Sequence, residues 1–308
     1  MRAFLFPGQG SQSVGMGSAL AEASRGAKDV FDEVDEALGQ NLFRLMKEGP
    51  DDELKLTENA QPAIMAHSIA VLRAWGVDLP DLASFVAGHS LGEYSALCAA
   101  SSFDLATTAK LLKLRGQAMQ AAVPVGKGSM AALLGADLSM ARRIAEAAAQ
   151  GEICTVANDN DPSQVVISGD KGAIDRAVEM AKEFGAKRAV PLPVSAPFHC
   201  PLMQPAAEAM SDALSYVVIE QPAVPVFANV TARAESDPDT IRGLLVDQVT
   251  GMVRWRESVG NMVQAGVEEF VEIGGKVLGP MVKRIVPDVK VTSVVTMQDI
   301  EALAKEIA

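Results

Sequence analysis

Short apolar runs alternate with helical stretches along almost the whole chain, and this rhythm limits the choice of fold more than any other feature. AFLF near residue 4, LASFVA ahead of residue 88, VPVFAN at 224–229, EEFVEI at 268–273 and VTSVV at 291–295 read as strands. Residues 27–38, 60–75, 104–121 and 199–215 read as helices. Strands separated by helices require crossover connections, which predicts an α/β architecture built on a mostly parallel sheet. Between about 125 and 196 the order changes to strand, helix, strand, strand, helix, strand, with the polar turn DNDPS joining the two middle strands. That order is a split βαβ, or ferredoxin-like, unit. The expectation is therefore a large α/β domain over 1–124 and 197–308 and an inserted ferredoxin-like α+β subdomain over 125–196, with VPVGKG and VSAP as hinges. Such an insertion leaves residues from its two flanks free to meet in space.

The chain has 308 residues, of which 49% are hydrophobic, enough for a sizeable core. A formal net charge of -12 opposes binding to nucleic acid or to an anionic membrane surface, since both need a basic face. Three cysteines, Cys98, Cys154 and Cys200, lack C-x-x-C spacing and predict neither a disulfide framework nor a zinc site. The apolar run in MRAFLFPGQG is too short for a signal peptide, and no stretch of about 18 uncharged apolar residues occurs. A cytoplasmic protein is expected, with no metal and no cofactor.

The segment AGHSLGEYSA at 87–96 lies at a strand-to-helix junction. Gly88 and Gly92 flank Ser90 in a G-x-S-x-G pattern, the spacing of a nucleophile elbow, where a tight turn exposes the serine hydroxyl. The pentapeptide alone reads equally as a Gly-bounded turn with a capping serine. A serine nucleophile needs a base, and the chain has three histidines. His67 lies in an apolar-rich helical segment and reads as a satisfied packing residue. His89 adjoins Ser90, and successive side chains of an extended segment point to opposite faces. By elimination His199, in VSAPFHCPLM, is the candidate base, although taken alone it reads as a polar residue at a helix start. Cys200, beside it on the expected helix, would not share its face. No acidic residue between 90 and 199 stands out as a triad member, so a Ser-His dyad is expected, with a backbone carbonyl as one choice for fixing the tautomer.

In FDLATTAKLLKLRGQAMQ, Lys110, Lys113, Gln117 and Gln120 mark the polar face. Arg115 is rotated roughly 200° from Lys113, at about 100° per residue, onto the stripe of Leu111, Leu112, Ala118 and Met119. An inward arginine reads either as a structural ion pair or snorkelling side chain, or as a fork for a substrate carboxylate. The loop FPGQGSQ has Ser13 where the dinucleotide fingerprint needs its third glycine, so phosphate cradling is a poor reading. Its amides are candidates for an oxyanion hole, Gln9 together with the residue after the nucleophile, Leu91; Gln9 alone also reads as a plain turn residue.

Taken together, FPGQGSQ at 6–12, TENAQPAI at 57–64, GHSLGE at 88–93, Arg115, ANDN at 157–160 and SAPFH at 195–199 closely resemble the malonyl-CoA:acyl carrier protein transacylases of fatty-acid synthesis. They also resemble the acyltransferase domains of polyketide synthases, where a phenylalanine before the histidine, here Phe198, often goes with malonyl units. The resemblance implies Ser90 as nucleophile, His199 as base, Arg115 as ligand of the malonyl carboxylate, and Gln9 and Leu91 as oxyanion donors. It further implies Gln61 and Asn158 as pocket residues and the Gln248 backbone carbonyl as the group that orients the histidine. Ala157–Asp159 and Cys200 depart from the family pattern.

The implied activity is transfer of a malonyl group from malonyl-CoA to the pantetheine thiol of acyl carrier protein through a malonyl-serine ester. A serine hydrolase or thioesterase using the same pair is the alternative, and a nucleotide-binding protein using the 7–17 loop a more distant one. The carrier is usually acidic in this family, as is this chain, so docking calls for a local cationic surface. Lys182, Lys187, Arg188, Lys276, Lys283 and Arg284 are candidates, though such charges also read as solvated faces.

Overall fold

The computed structural model describes residues 1–194 and 196–307. Ser195 of the SAPFH motif and of the second expected hinge lies outside the described residues.

Two sheets organise the described residues. The larger has the order β10-β9-β1-β2-β7-β8, made of β1 (Arg2–Phe6), β2 (Phe85–Gly88), β7 (Val226–Phe227), β8 (Ala234–Glu235), β9 (Glu269–Ile273) and β10 (Lys290–Val294). Every neighbouring pair is parallel except the edge hairpin of β7 and β8. The central strand β1 is apolar on both faces, as a strand covered by helices on both sides must be. Phe4 and Phe6 join the core beneath the helices Arg25–Leu38 and Thr57–Trp75, while Ala3 and Leu5 pack with Trp255, Phe270 and Leu278 on the other face. VPVFAN pairs only at Val226–Phe227, shorter than its apolar run predicts.

The smaller sheet has the order β4-β5-β3-β6, with β3 (Gly128–Leu134), β4 (Cys154–Asp161), β5 (Gln164–Asp170) and β6 (Arg188–Pro191), all antiparallel. The helices Leu138–Ala149 and Lys171–Met180 cover one face around a separate core of Leu133, Ile144, Ile167 and Ile174. This is the ferredoxin-like strand order that the sequence pattern predicts.

The helices begin where local chemistry starts them. Ser24 and Asp104 accept from the amides of Ala27 and Thr107, capping Arg25–Leu38 and Leu105–Ala122. The C-terminal expectation for 199–215 is corrected: His199 lies outside any helix, a 3-10 turn spans Pro201–Met203, and the α-helix runs from Gln204 to Ser215. Two prolines account for the late start: Pro201 disfavours helical backbone at Cys200, which is extended, and Pro205, lacking an amide hydrogen, fits only in a helix's first turn.

The tail of β4 joins the smaller sheet to Val253 and to the helices Trp255–Gln264 and Leu278–Ile285, which pack beside the larger one. Asp159 N donates to Val253 O, and Val253 N donates to Ala157 O (both 2.9 Å). The Asp159 and Asp161 carboxylates, 2% and 0% exposed, pair with Arg256 and Arg284 at 2.7 Å. Among the described residues no helix is long and apolar enough to cross a membrane.

Candidate active site

β1 and β2 are parallel neighbours in register Phe6 to Gly88, so the loops that follow them leave the same end of the sheet. One holds Gln9 and the other holds His89, Ser90 and Leu91. The turn after β2 is so tight that a Cβ on Gly88 would fall 1.8 Å from the Gly92 carbonyl. A Cβ on Gly92 would fall 2.2 Å from Phe6 O, and one on Gly8 2.7 Å from His89 O. Each of the three must be glycine because backbone passes where a side chain would stand. Ser90 has φ 56°, a left-handed conformation costly for a non-glycine residue. The nucleophile-elbow reading of G-x-S-x-G is thus the one with matching geometry.

Ser90 Oγ lies 2.8 Å from His199 Nε2, and His199 Nδ1 lies 2.9 Å from the Gln248 carbonyl oxygen. A carbonyl only accepts, so Nδ1 carries the proton. Nε2 of the neutral ring is then an acceptor for the Ser90 hydroxyl. Burial, reinforced by the nearby Arg115 charge, pushes the His199 pKa down to about 3, which keeps the ring unprotonated near neutral pH. His199 has φ 57°, so it too is held in left-handed backbone. Cys200 Sγ donates to Pro197 O at 3.1 Å; the extended backbone of Cys200, rather than a helical face, separates it from the site.

Arg115 is 1% exposed, on the inward face of its helix as the periodicity predicts. Nη1 donates to Gln61 Oε1 (2.8 Å), and Nη2 donates to Gln248 Oε1 (2.8 Å) and Ser90 Oγ (3.1 Å). Its guanidinium carbon lies 5.7 Å from the centre of the Tyr94 ring. The side chain does not snorkel, and no carboxylate lies within ion-pair distance of it among the described residues. One hydroxyl therefore lies between an imidazole that can take its proton and a buried cation.

The amides of Gln9 and Leu91 have no intramolecular acceptor among the described residues, and both follow the ends of adjacent strands. Leu91 also precedes the helix Gly92–Ala99, whose N-terminal dipole favours negative charge. The Gln9 side chain donates to Thr57 Oγ1 at 3.4 Å. Among the described residues Asn158 makes no hydrogen bond to this group. It sits on β4 in an isolated bridge to Val253, and its neighbour Asn160 reaches the site instead, with Oδ1 2.9 Å from His89 Nε2. His89 is thus a structural partner, directed away from the Ser90 hydroxyl. His67 is buried as expected, but it is not satisfied: Nδ1 has no partner among the described residues.

Sequence reasoning missed Glu93 and Asn229. Asn229 Oδ1 accepts the Ser90 amide (2.7 Å), and its Nδ2 donates to Gly88 O (2.7 Å). Both residues stand in motifs already singled out, at the ends of GHSLGE and VPVFAN, yet Glu93 reads as an ordinary acidic residue in a helix's first turn and Asn229 as a polar residue after a strand. Of the cationic candidates, Arg284 is paired with Asp161, and Lys283 donates to Pro287 O and Val289 O. Lys182, Lys187, Arg188 and Lys276 are exposed. Among the described residues no group of three or more His, Cys, Asp or Glu could hold a metal ion.

The acyl transferase domain family matches residues 3–289. The malonyl CoA-acyl carrier protein transacylase of Haemophilus influenzae is 46% identical over 294 residues, covering 95% of this chain and 94% of that one. Among solved structures, an acyl-carrier-protein-S-malonyltransferase from Bartonella henselae has a TM-score of 0.97 at 53% identity, covering 99% of each chain. A malonyl-transacylase in complex with a type II PKS acyl-carrier protein has a TM-score of 0.96 at 40% identity, covering 99% of each chain. On these likenesses, which span nearly the whole chain, the protein belongs to the malonyl-CoA:acyl carrier protein transacylase family.

Proposed function

We propose that the chain transfers malonyl groups from malonyl-CoA to the pantetheine thiol of acyl carrier protein by a ping-pong route. The observation that carries this reading is the Ser90 hydroxyl, within hydrogen-bond reach of both His199 Nε2 and Arg115 Nη2. In the first transfer His199 Nε2 takes the hydroxyl proton as Oγ attacks the malonyl thioester carbonyl. The oxyanion is held by the Gln9 and Leu91 amides. The intermediate then collapses, the C–S bond breaks, and the CoA thiolate leaves with the proton from His199. In the second transfer His199 takes the pantetheine thiol proton, the sulfur attacks the malonyl-serine ester, and the proton returns to Ser90 Oγ as the C–O bond breaks.

Arg115 holds the malonyl carboxylate, with its guanidinium steadied by Gln61 and Gln248. A neutral acyl group would leave that buried cation unpaired, so the site selects dicarboxylic acyl groups. Asn158 belongs to the wall of the cleft rather than to its reacting centre. No step calls for a cofactor. The large domain, 1–124 and 197–308, supplies the reacting groups, and the inserted unit, 125–196, forms the opposite wall with the exposed Lys182, Lys187 and Arg188 available to an acidic carrier. The protein works in the cytoplasm.

Intact mass spectrometry after exposure to malonyl-CoA tests the proposal. A malonyl adduct on Ser90 that persists in buffer and discharges when carrier bearing a free pantetheine thiol is added is the expected result. An adduct that water discharges at the same rate would make the protein a hydrolase.

A further inference from the structure

Glu93 lies in the first turn of the helix Gly92–Ala99, three residues after Ser90, and is 2% exposed, a costly place for a carboxylate. The transfer steps give it no task. Its Oε2 accepts two hydrogen bonds, from Asn229 N (2.9 Å) and from Gln248 Nε2 (2.8 Å). Each donor residue grips the nucleophile segment. Asn229 spans Gly88 O and Ser90 N. Gln248 Nε2 also reaches Ser90 O (3.1 Å), and its backbone oxygen receives His199 Nδ1.

The Gln248 carboxamide is wedged between opposite charges, with its oxygen on the Arg115 guanidinium and its nitrogen on the Glu93 carboxylate. Of the two ways round that a primary amide can sit, this one satisfies both ions and the flipped one opposes both. A serine at φ 56° persists only where its surroundings over-determine it, and the bonds that do so here converge on Glu93.

We propose that ionised Glu93 is a positioning residue of this site: through Asn229 and Gln248 it fixes the strained Ser90 backbone, the His199 ring and the Arg115 guanidinium in reacting geometry. The proposal rests on the reading of Ser90 as the nucleophile. Burial raises the Glu93 pKa to about 7, against the pull of its two hydrogen bonds and of Arg115. The charged and titratable groups around it are Arg115, from the helix Leu105–Ala122, and Tyr94, from its own helix; Gln248 and Asn229 are neutral. Arg115 stays charged, burial raises Tyr94, and His199 titrates only near pH 3, so Glu93 is the group of this set that changes charge close to neutrality.

A fluorophosphonate that labels activated serines reports on the Ser90 and His199 pair without using malonyl-CoA. The wild-type labelling rate is expected to fall below about pH 7 as Glu93 gains a proton. Glu93→Gln keeps the shape and an acceptor but loses the charge; it should label about 10- to 100-fold more slowly at pH 8, with no acid limb near 7. Glu93→Asp should be slow yet keep the limb, and circular dichroism checks that both variants are folded. Wild-type labelling by Glu93→Gln, or an acid limb near 7 that persists in it, would overturn the proposal. The malonyl adduct, read separately by mass on the wild type, tests the transferase reading. Absence of both adducts on wild-type Ser90 would sink both.

Discussion

Two imidazoles, His67 midway along Thr57–Trp75 and His199 beside the elbow, are equally dry at 4% exposure each, yet their surroundings treat them oppositely. Among the described residues His67 has no partner on Nδ1, and burial alone pushes its pKa down to about 4. His199 has a carbonyl on one nitrogen and a hydroxyl on the other, with a guanidinium near enough to lower its pKa further. Burial by itself makes an imidazole neutral. Partners on both nitrogens make it a base with a fixed tautomer and a fixed aim. The contrast also separates cost from use, since both residues lose hydration and only one gains directed contacts in return.

The largest expected effect breaks the comparison at its functional end. His199→Ala should slow Ser90 acylation by malonyl-CoA on the order of 10⁴-fold or more, whereas His67→Met should leave it within about twofold, as measured by rapid-quench mass spectrometry. A smaller effect tests what Arg115 adds beside the His199 imidazole. Arg115→Ala should lower the preference for malonyl-CoA over acetyl-CoA by on the order of 10²- to 10³-fold in a competition assay, and an unchanged ratio would refute the clamp.

The third prediction concerns stability and follows from the His67 pKa. A folded-state pKa lowered from 6.5 to about 4 means that the unfolded chain binds the extra proton between those values, so stability contributed by neutral His67 is intact above pH 6.5 and is lost as pH falls towards 4. His67→Met removes that penalty. It should gain about 2 kcal/mol relative to wild type at pH 5 compared with pH 8, read from urea midpoints. Glu93 acts in the opposite sense, gaining its proton first in the folded state, and its contribution is the same in both proteins, so the difference isolates His67. The smallest effect lies at the surface. Raising salt from 50 to 300 mM should slow transfer to the carrier several-fold while leaving acylation by malonyl-CoA little changed, and equal responses would argue against charge-steered docking.

Side chains that point by rule were legible in the sequence. Helical phase put Arg115 inside, alternation turned His89 away from the hydroxyl, and two glycines around Ser90 carried a steric requirement that the contacts at Gly88 and Gly92 make explicit. The strand order of the smaller sheet followed from a pattern of six elements. Groups whose role comes from distant neighbours were not legible. Gln248 matters to His199 through a backbone oxygen, which residue type does not encode, and it entered only through a family resemblance. Glu93 and Asn229 meet across 136 residues of chain, so no local period could pair them. Elimination points to His199, which lies 2.8 Å from Ser90 Oγ, but helical periodicity does not reveal that its backbone is non-helical, because the prolines at 201 and 205 hold the helix start to Gln204.

The tail of β4 carries a consequence for motion. Two ion pairs and two main-chain bonds tie the tail of β4 to Val253 and to the helices Trp255–Gln264 and Leu278–Ile285 beside the larger sheet, and Asn160 extends the tether to His89 within the turn that bears Ser90. Because Asn160 meets His89 beside Ser90, any shift of the smaller sheet at this tether would be felt directly in the serine turn.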